Sequence, residues 1–474
     1  MRVTRLRAEN VHGYLPIDIS FFDDITFMTG VNGSGKTSAL RLLMALLTPN
    51  LEELSAISFS AAEVTIQEGD IEIVVSSEKT LEGITIRINK MTDCLVITSS
   101  DLEIYMEIMR RREEQRSPII DKLKASPIYQ KLQTMSTPMF LGLDRRFYAP
   151  SMPGDELNET RKREYMTKRI WSEDPSFRGT AVAAGLAQVN YLVVTRMQEV
   201  RAAQEQLDER LRAQFFKKAF EYNPSNQHEN SARLPSRAEL DRYRQQLTKI
   251  EKAAEGLKLP VPEIQSALTD FFERMSVVVA SLEKSANQKV QSKKTTDKKA
   301  TIRIKGDLHM WDDAFFIEWI INKPQADRIL EHLRMLDEYI ESRNALRDPI
   351  TRFLTLVNSF LTQTRKQVSV EGNGHLAVKL QGGGDTRPIS ALSSGERQLL
   401  VMLAHLSLNP NLSGSGVFIV DEPELSLHID WQERFVDAIR EANPKVQLIL
   451  ATHSPAIILD RTDACRDLSE ALYA

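Results

Sequence analysis

The chain has little cysteine, no long apolar run and almost no excess of charge of either sign. Its 474 residues include only Cys94 and Cys465, which lie far apart in the sequence and lack the spacing of metal ligands. A disulfide framework and a cysteine-based zinc site are therefore not expected. We interpret both residues as free thiols.

The apolar runs fall well short of the ~18 residues that a membrane-spanning helix needs. The N-terminus, M-R-V-T-R-L-R-A-E-N, also lacks the apolar segment of a signal peptide. We therefore expect a cytoplasmic protein with no membrane contact. The formal net charge of −4 excludes a surface that is basic throughout, so any nucleic-acid contact has to come from a local patch.

What the sequence does contain is one strong phosphate-binding motif. Residues Gly30 to Thr37 read G-V-N-G-S-G-K-T, which matches G-x-x-x-x-G-K-[ST]. The motif follows a strand pattern at Ile25–Thr29 and precedes a helical pattern at Ser38–Leu47. A chance glycine-rich turn is the alternative, and this strand-to-helix context disfavours it.

The loop residues indicate how ATP and Mg²⁺ are bound. Backbone N–H groups converge on the phosphates, Lys36 adds a positive charge, and the Thr37 hydroxyl can ligate Mg²⁺. The N-terminus of the following helix strengthens the anion site. The predicted ATP-binding residues are Gly30, Asn32, Gly33, Ser34, Gly35, Lys36, Thr37 and Ser38.

Two adjacent carboxylates follow a second apolar strand pattern, V-F-I-V, and are Asp421 and Glu422. We predict that Asp421 joins the Mg²⁺ shell and that Glu422 orients or deprotonates the attacking water. His453 follows the next strand pattern, Val446–Ala451, and is a candidate to bind the γ-phosphate. The alternative for the two carboxylates is that they merely end a strand before Pro423. A histidine at a strand end is, taken alone, more often structural, and its place after Asp421 and Glu422 favours a functional role.

A further motif, L-S-S-G-E at Leu392–Glu396, opens a predicted helix between the phosphate loop and Asp421. It resembles the L-S-G-G-Q signature of ABC-type ATPases, with Ser for the first Gly and Glu for Gln. The motif order, with D-E-P-E-L-S-L-H from Asp421, resembles the branch that contains RecF, the SMC proteins and the OLD-family ATPases. The resemblance implies that two chains sandwich ATP, each supplying Ser393, Ser394, Gly395 and Glu396 to the nucleotide of the other.

Between the two sets of motifs the sequence period changes to helical. Seams of apolar residues with coiled-coil spacing begin at Val193, Leu240, Ile264 and Ile329. Prolines and a polar stretch from Lys284 to Thr301 separate them. We therefore predict separate helices of about 25 to 30 residues, which form a compact arm of ~40 to 45 Å.

The predicted fold class is α/β, an ABC-type P-loop nucleotide-binding domain split by a helical, short coiled-coil insertion. Residues 1–150 form the N-terminal lobe with the phosphate loop and an antiparallel subsheet. Residues 151–350 form the insertion, and residues 351–474 form the C-terminal lobe with the signature, Asp421-Glu422 and His453.

One element departs from the family pattern. The family usually has a Gln after the strand that precedes the insertion. Here the predicted strand, Pro138–Leu143, is followed by Asp144, Arg145 and Arg146. Asp144 is our candidate for sensing Mg²⁺ from that side.

The resemblance also implies partners. OLD-family proteins typically continue after the switch His into a Toprim nuclease domain, whereas this sequence continues for only about twenty residues. It thus resembles the ATPase subunits of two-gene anti-phage systems, of the PARIS type first and the Septu type next. That implies a homo-oligomer of ATP-sandwich dimers, which controls a separately encoded, Toprim-type nuclease effector and responds to a phage-derived trigger. The alternative is a RecF- or SMC-like repair ATPase that clamps DNA when ATP drives dimerisation, and a transporter ATPase is disfavoured by the long insertion.

A basic run bears on the nucleic-acid alternative. It contains Lys289, Lys293, Lys294, Lys298, Lys299, Arg303 and Lys305, with Asp297 as the only acid. A solvated loop is the favoured interpretation, and a contact with nucleic acid or an acidic protein is the other. The aromatic residues that follow have helical spacing, which predicts core packing for Trp311, Phe315, Phe316 and Trp319.

Overall fold

The computed structural model describes residues 1–111, 118–135, 138–142, 147–148, 181–220, 261–293, 314–383, 385–412 and 416–469. By its contacts the chain divides into two units, Met1–Met197 with Pro349–Ala474, and Gln198–Asp348. The three domain limits given by the sequence stay a prediction. None of the helices in the described ranges combines the length and apolarity that crossing a membrane requires.

An antiparallel sheet of six strands lies in the first unit. In spatial order it contains β2 (Leu15–Ser20), β1 (Arg2–Val11), β4 (Ala61–Glu68), β5 (Ile71–Thr80), β6 (Gly83–Ile88) and β7 (Cys94–Thr98). Buried and exposed residues alternate along β2 and β4, because successive side chains of a strand point to opposite faces. Alternating apolar residues predict strands at Val3–Val11, Ile17–Phe21, Ala62–Gln67, Ile71–Ser76 and Thr85–Ile88, and the structure confirms them as β1, β2, β4, β5 and β6. Strand β7 was not predicted.

A second sheet carries the predicted motifs. In spatial order it contains β15 (Cys465–Asp467), β3 (Ile25–Thr29), β14 (Gln447–Ala451), β13 (Val417–Asp421), β8 (Met139–Leu141) and β9 (Phe147–Tyr148). Only the β8–β9 pair is antiparallel among these described strands. Two strands from the end of the chain thus lie between β3 and β8, so one sheet is built from both sequence-distant parts.

A third sheet of three strands completes the first unit. It contains β10 (Lys366–Val370), β11 (Leu376–Leu380) and β12 (Thr386–Pro388) in that order. The segments Gln367–Glu371 and His375–Gln381 flank G-N-G in the sequence and predict a hairpin, which the antiparallel β10–β11 pair confirms. The predicted α/β class with a helical insertion is confirmed by the sheets and by the helices described next.

Helices pack on the sheets and also form the second unit. Their bounds are α1 (Lys36–Leu47), α2 (Leu51–Ala56), α3 (Ser99–Arg111), α4 (Pro118–Ala125), α5 (Pro127–Thr134), α6 (Ala181–Ala219), α7 (Val261–Lys293), α8 (Ala314–Leu361), α9 (Ser394–Leu408), α10 (Ile429–Ala442) and α11 (Pro455–Ile458). The short helices α2, α4 and α5 were not predicted, because six to eight residues show little more than two turns of periodicity.

The predicted length of the arm helices is wrong. Helices α6, α7 and α8 contain 39, 33 and 48 residues, which corresponds to lengths of ~50 to 72 Å. Helix α8 continues through Pro349, and α7 continues beyond Lys284 to Lys293. A proline removes one backbone hydrogen bond, and packing offsets that loss here, since Phe353 and Phe360 of the same helix are fully buried. The seam from Leu240 to Leu257 lies outside the described residues.

The second unit has its own small core. It consists of Phe272, Met275, Val278, Val279 and Leu282 of α7 with Phe316, Trp319 and Ala326 of α8. Core packing is thus confirmed for Phe316 and Trp319, whereas Phe315 is 41% exposed. Trp311 and most of the basic run lie outside the described residues.

Candidate functional site

The phosphate loop connects β3 to α1. Gly30, Gly33 and Gly35 have φ angles of 138°, 86° and 89°, which residues with a side chain rarely adopt. A Cβ atom at Gly35 would also lie 2.4 Å from Cδ2 of Leu15. Glycine is therefore required for the backbone conformation of this loop. The loop ends at the N-terminus of α1, where the first N–H groups of the helix lie. Such groups have no partner within a helix and are suited to binding phosphate.

Lys36 lies at the start of α1 and is 6% exposed. Its Nζ donates hydrogen bonds to the carbonyl oxygens of Gly30 at 2.9 Å and Val31 at 3.2 Å. Burial lowers the pKa of Lys36, and nearby carboxylates oppose that shift, namely Glu422, Asp421, Asp467 and Glu424. The ammonium group is therefore held by the loop carbonyls, near enough to these carboxylates for their charge to act on its pKa.

Asp421 is the last residue of β13 and is 3% exposed. Neither of its carboxylate oxygens has a hydrogen-bond partner of ordinary geometry in the described part of the chain. Burial raises the pKa of Asp421 to about 6, while the nearby Thr37 hydroxyl opposes the shift and Glu422 adds to it. A buried carboxylate without a partner is costly, and a divalent cation removes that cost. Thr37 and Asp421 thus fit the role of Mg²⁺ ligands.

Glu422 has a strained backbone. Its φ and ψ angles are 48° and 61°, in the left-handed region that non-glycine residues rarely occupy. Its N–H donates to the carbonyl of Ala451 on the neighbouring strand β14 at 2.8 Å. Strain of this kind persists only where the surroundings impose it, and it clusters at functional sites. The predicted role of Glu422 in activating water stays a prediction.

His453 follows β14 by two residues and has an exposed side chain. Its backbone N–H donates to Oε1 of Glu424 at 2.8 Å, and the Thr452 hydroxyl donates to the same oxygen at 2.9 Å. Sequence reasoning missed Glu424, although it is the second glutamate of D-E-P-E. The structure therefore joins the segment after β13 to the segment after β14 through one carboxylate.

The signature residues form the N-terminus of α9. Ser393 is the N-cap, and its N–H donates to Oε2 of Glu396 at 2.6 Å in a reciprocal capping box. Lys366 Nζ donates to the same oxygen at 2.7 Å. Ser393 and Ser394 are exposed, whereas Gly395 and Glu396 are buried. The carboxylate of Glu396 is thus engaged within its own chain, and its predicted role on the ATP of another subunit stays a prediction.

The segment after α8 contacts both α9 and α10. Gln363 accepts a hydrogen bond from the indole of Trp431 at 3.1 Å and donates to Asp430 at 3.3 Å. The ring of Phe360 meets that of Trp431 edge to face, with centroids 5.8 Å apart. Together with the Lys366–Glu396 pair, these contacts fix the last turn of α8 to the start of both helices.

Replacing Lys366 by Met should destabilise the protein by about 3 kcal/mol, since it leaves a buried carboxylate without its cation. Glu396 is 2% exposed, and burial tends to raise its pKa, but hydrogen bonds from Lys366 and Ser393 bring the pKa below its ordinary value. Urea unfolding of the full chain measures the loss. The double variant Lys366→Met with Glu396→Gln should recover part of it, and equal stability of wild type and Lys366→Met would contradict the prediction.

A second segment missed by sequence reasoning contacts the phosphate loop. Strand β15 pairs with β3, and Ser469 just after it accepts a hydrogen bond from the N–H of Val31 at 3.0 Å. Asp467 lies close enough to oppose the lowered pKa of Lys36. The predicted Mg²⁺ sensor Asp144, with Arg145 and Arg146, lies outside the described residues.

Comparison with known proteins gives a match over most of the chain. The family model described as AAA ATPase domain matches residues 1–458. The Retron Vc95 probable ATPase of Vibrio cholerae is 33% identical over 101 residues, which are 19% of this chain and 20% of the relative. The Retron Ec83 probable ATPase of Escherichia coli is 35% identical over 75 residues, 14% of either chain.

The DNA double-strand break repair Rad50 ATPase of Saccharolobus solfataricus is 32% identical over 152 residues, 29% of this chain and 17% of the relative. This chain therefore aligns with a fifth or less of each of these three relatives. Among solved structures, the Smc head domain of Pyrococcus furiosus aligns with 96% of this chain and 91% of its own, at 14% identity and a TM-score of 0.36. The SMC head domain of Thermotoga maritima aligns with 98% and 94%, at 12% identity and a TM-score of 0.34.

Proposed function

The chain belongs to the AAA ATPase domain family, and we propose that this ATPase is the sensor and scaffold subunit of an anti-phage defence complex, controlling a separately encoded nuclease effector. In this proposal ATP-sandwich dimers assemble into a homo-oligomer. A phage-derived trigger changes the oligomer, and the Toprim-type effector is then released or activated.

The observation that carries the proposal is the convergence of the phosphate loop with the end of β13. The charges of Glu422 and Asp421 act on the pKa of Lys36, and the Thr37 hydroxyl acts on the pKa of Asp421. Loop N–H groups and Lys36 would bind the ATP phosphates, and Thr37 with Asp421 would hold Mg²⁺, which supplies charge neutralisation there. Glu422 would orient the attacking water and accept its proton.

Control of a partner needs a path from the nucleotide to the rest of the molecule. The exposed Ser393 and Ser394 at the N-terminus of α9 suit contact with the nucleotide of a second copy. The same helix is bonded through Glu396 and Lys366 to the start of β10, which follows α8 in the chain. Local similarity to two retron probable ATPases supports the assignment to defence.

Phage infection tests the proposal. Cells carrying this gene with its flanking genes should be protected, and Lys36→Ala and Glu422→Gln should both abolish protection, because one removes a phosphate ligand and the other the water-activating group. Lys124→Ala, at an exposed site on α4, is the matched control. Unaltered plaque counts in both site variants would overturn the proposal.

The native mass of the chain tests the assembly. Purified with ATP from cells that express the flanking genes, it should form a defined oligomer that retains a second, nuclease-like chain. A lone ATP-dependent dimer that retains DNA would favour the second candidate, a RecF- or SMC-like repair ATPase that clamps DNA. That candidate is supported by the similarity to the Rad50 ATPase. If the chain is such a repair ATPase, its DNA binding should be sensitive to salt. That binding should be lost when the lysines and the arginine from Lys289 to Lys305 are neutralised.

A further inference from the structure

Glu424 is a third carboxylate of the candidate site, and its surroundings differ from those of Asp421 and Glu422. Its Oε1 accepts two hydrogen bonds, from the Thr452 hydroxyl at 2.9 Å and from the N–H of His453 at 2.8 Å. Thr452 is fully buried, so its hydroxyl depends on this acceptor. One oxygen atom therefore holds both Thr452 and His453, the two residues that directly follow β14.

The other oxygen of Glu424, Oε2, is buried and has no hydrogen-bond partner among the described residues. A buried carboxylate oxygen without a partner costs free energy, and such atoms in a native structure call for a functional explanation. Glu424 also adds to the raised pKa of Asp421, so it lies close to the predicted Mg²⁺ ligand. The contacts to Thr452 and His453 are made through Oε1, so a neutral acceptor in the same place would preserve them.

A second link runs parallel to the first. The Ser454 hydroxyl donates to Oε1 of Gln432 at 2.6 Å, and Nε2 of Gln432 donates to the carbonyl of Leu427 at 2.9 Å. Gln432 lies on α10, and Leu427 lies in the segment that connects β13 to α10. Thr452 and His453 are thus bonded directly to the segment after β13, and Ser454 is bonded to it through Gln432.

We propose that Glu424 is a positioning residue for ATP hydrolysis, which holds Thr452 and His453 in register with Asp421 and Glu422. When the segment after β13 moves, the hydrogen bonds on Oε1 carry His453 with it, so that water activation and γ-phosphate contact change together. This inference rests on the proposed roles of Glu422 and His453 in the same site.

Steady-state phosphate release by the purified full chain tests the proposal. Glu424→Ala removes the shared acceptor and should lower kcat by up to ~100-fold, the cost of a small misplacement in an active site. ATP affinity, measured by equilibrium binding, should stay at the wild-type value. Glu424→Gln keeps an amide oxygen in the place of Oε1 and should retain most of the wild-type kcat. Thr452→Val removes one of the two hydrogen bonds and should have an intermediate effect.

A double-mutant cycle of Glu424→Ala and His453→Ala separates a positioning role of Glu424 from a general structural role. If Glu424 acts through His453, the double variant with Glu424→Ala should turn over no more slowly than His453→Ala alone. Three results would each overturn the proposal. The first is a double variant whose loss of kcat is the product of the two single losses. The others are a loss of kcat in Glu424→Gln as large as that in Glu424→Ala, and an unchanged kcat in Glu424→Ala. Failure of effector control would appear as unaltered phage protection and would leave these turnover ratios intact, so the two failures are distinguishable.

Discussion

Replacing Glu422 by Gln should slow ATP hydrolysis by about 10² to 10⁴-fold, the usual contribution of a positioned general base. Gln has nearly the same size but cannot accept the proton of the attacking water. ATP binding should persist, because the phosphate loop and Asp421 are unchanged. Phosphate release measures the first effect, and retention of ATP on a gel-filtration column measures the second. The ATP-bound form should accumulate as a dimer if hydrolysis opens the sandwich.

Glu433→Gln is the matched control, since it makes the same chemical change at an exposed position on α10. It should leave both turnover and ATP retention at wild-type values. Unchanged turnover in Glu422→Gln would remove Glu422 from the reaction. The strained backbone at that residue, with φ at 48°, would then need another explanation.

The parts of the site that were predictable from the sequence depend on short-range physics. Strands β3, β13 and β14 are apolar runs because nearly all of their residues are buried in a parallel sheet. The loop between β3 and α1 needs glycine at positive φ angles. The apolar strands and the glycine positions can therefore both be recognised from a few consecutive residues of the sequence.

Glu396 shows a pattern that supports two interpretations. As part of L-S-S-G-E it resembles the ABC-type signature, but Ser393 with Glu396 is also the S-x-x-E pattern of a capping box. The structure shows the capping box and adds Lys366, thirty residues away, as a partner. The S-x-x-E pattern in the sequence was sufficient to predict the capping box. The Lys366–Glu396 ion pair was not predictable, because it depends on where β10 lies in the fold.

The long helix α8 could not be predicted from local rules. Pro349 favours a break by its chemistry, because it cannot donate a backbone hydrogen bond, yet the helix continues through it. Phe353 and Phe360 are fully buried, and this packing offsets the missing hydrogen bond. Such burial depends on elements distant in sequence. The same holds for the order of the strands, in which β14 separates β3 from β13.

Gln447 is a further residue whose role is set by distant elements. It begins β14 and is 1% exposed. Its side chain accepts a hydrogen bond from the N–H of Val3 at 2.7 Å and donates to the carbonyls of Val3 at 2.7 Å and Phe22 at 2.8 Å. The pairing of β1 with β4 shifts register between Val3 and Arg5. One amide thus joins the antiparallel sheet to the sheet that carries the site.

Replacing Gln447 by Leu should therefore lower the free energy of unfolding by at least ~3 kcal/mol, because three backbone groups lose their partner at ~1 to 3 kcal/mol each. That is a large share of the ~5 to 15 kcal/mol that stabilises a typical domain. Urea unfolding followed by circular dichroism measures the change. Gln67→Leu, at an exposed position on β4, is the matched control, with an expected effect within ~0.5 kcal/mol. Equal midpoints for the two variants would mean that the sheets are held together without this amide.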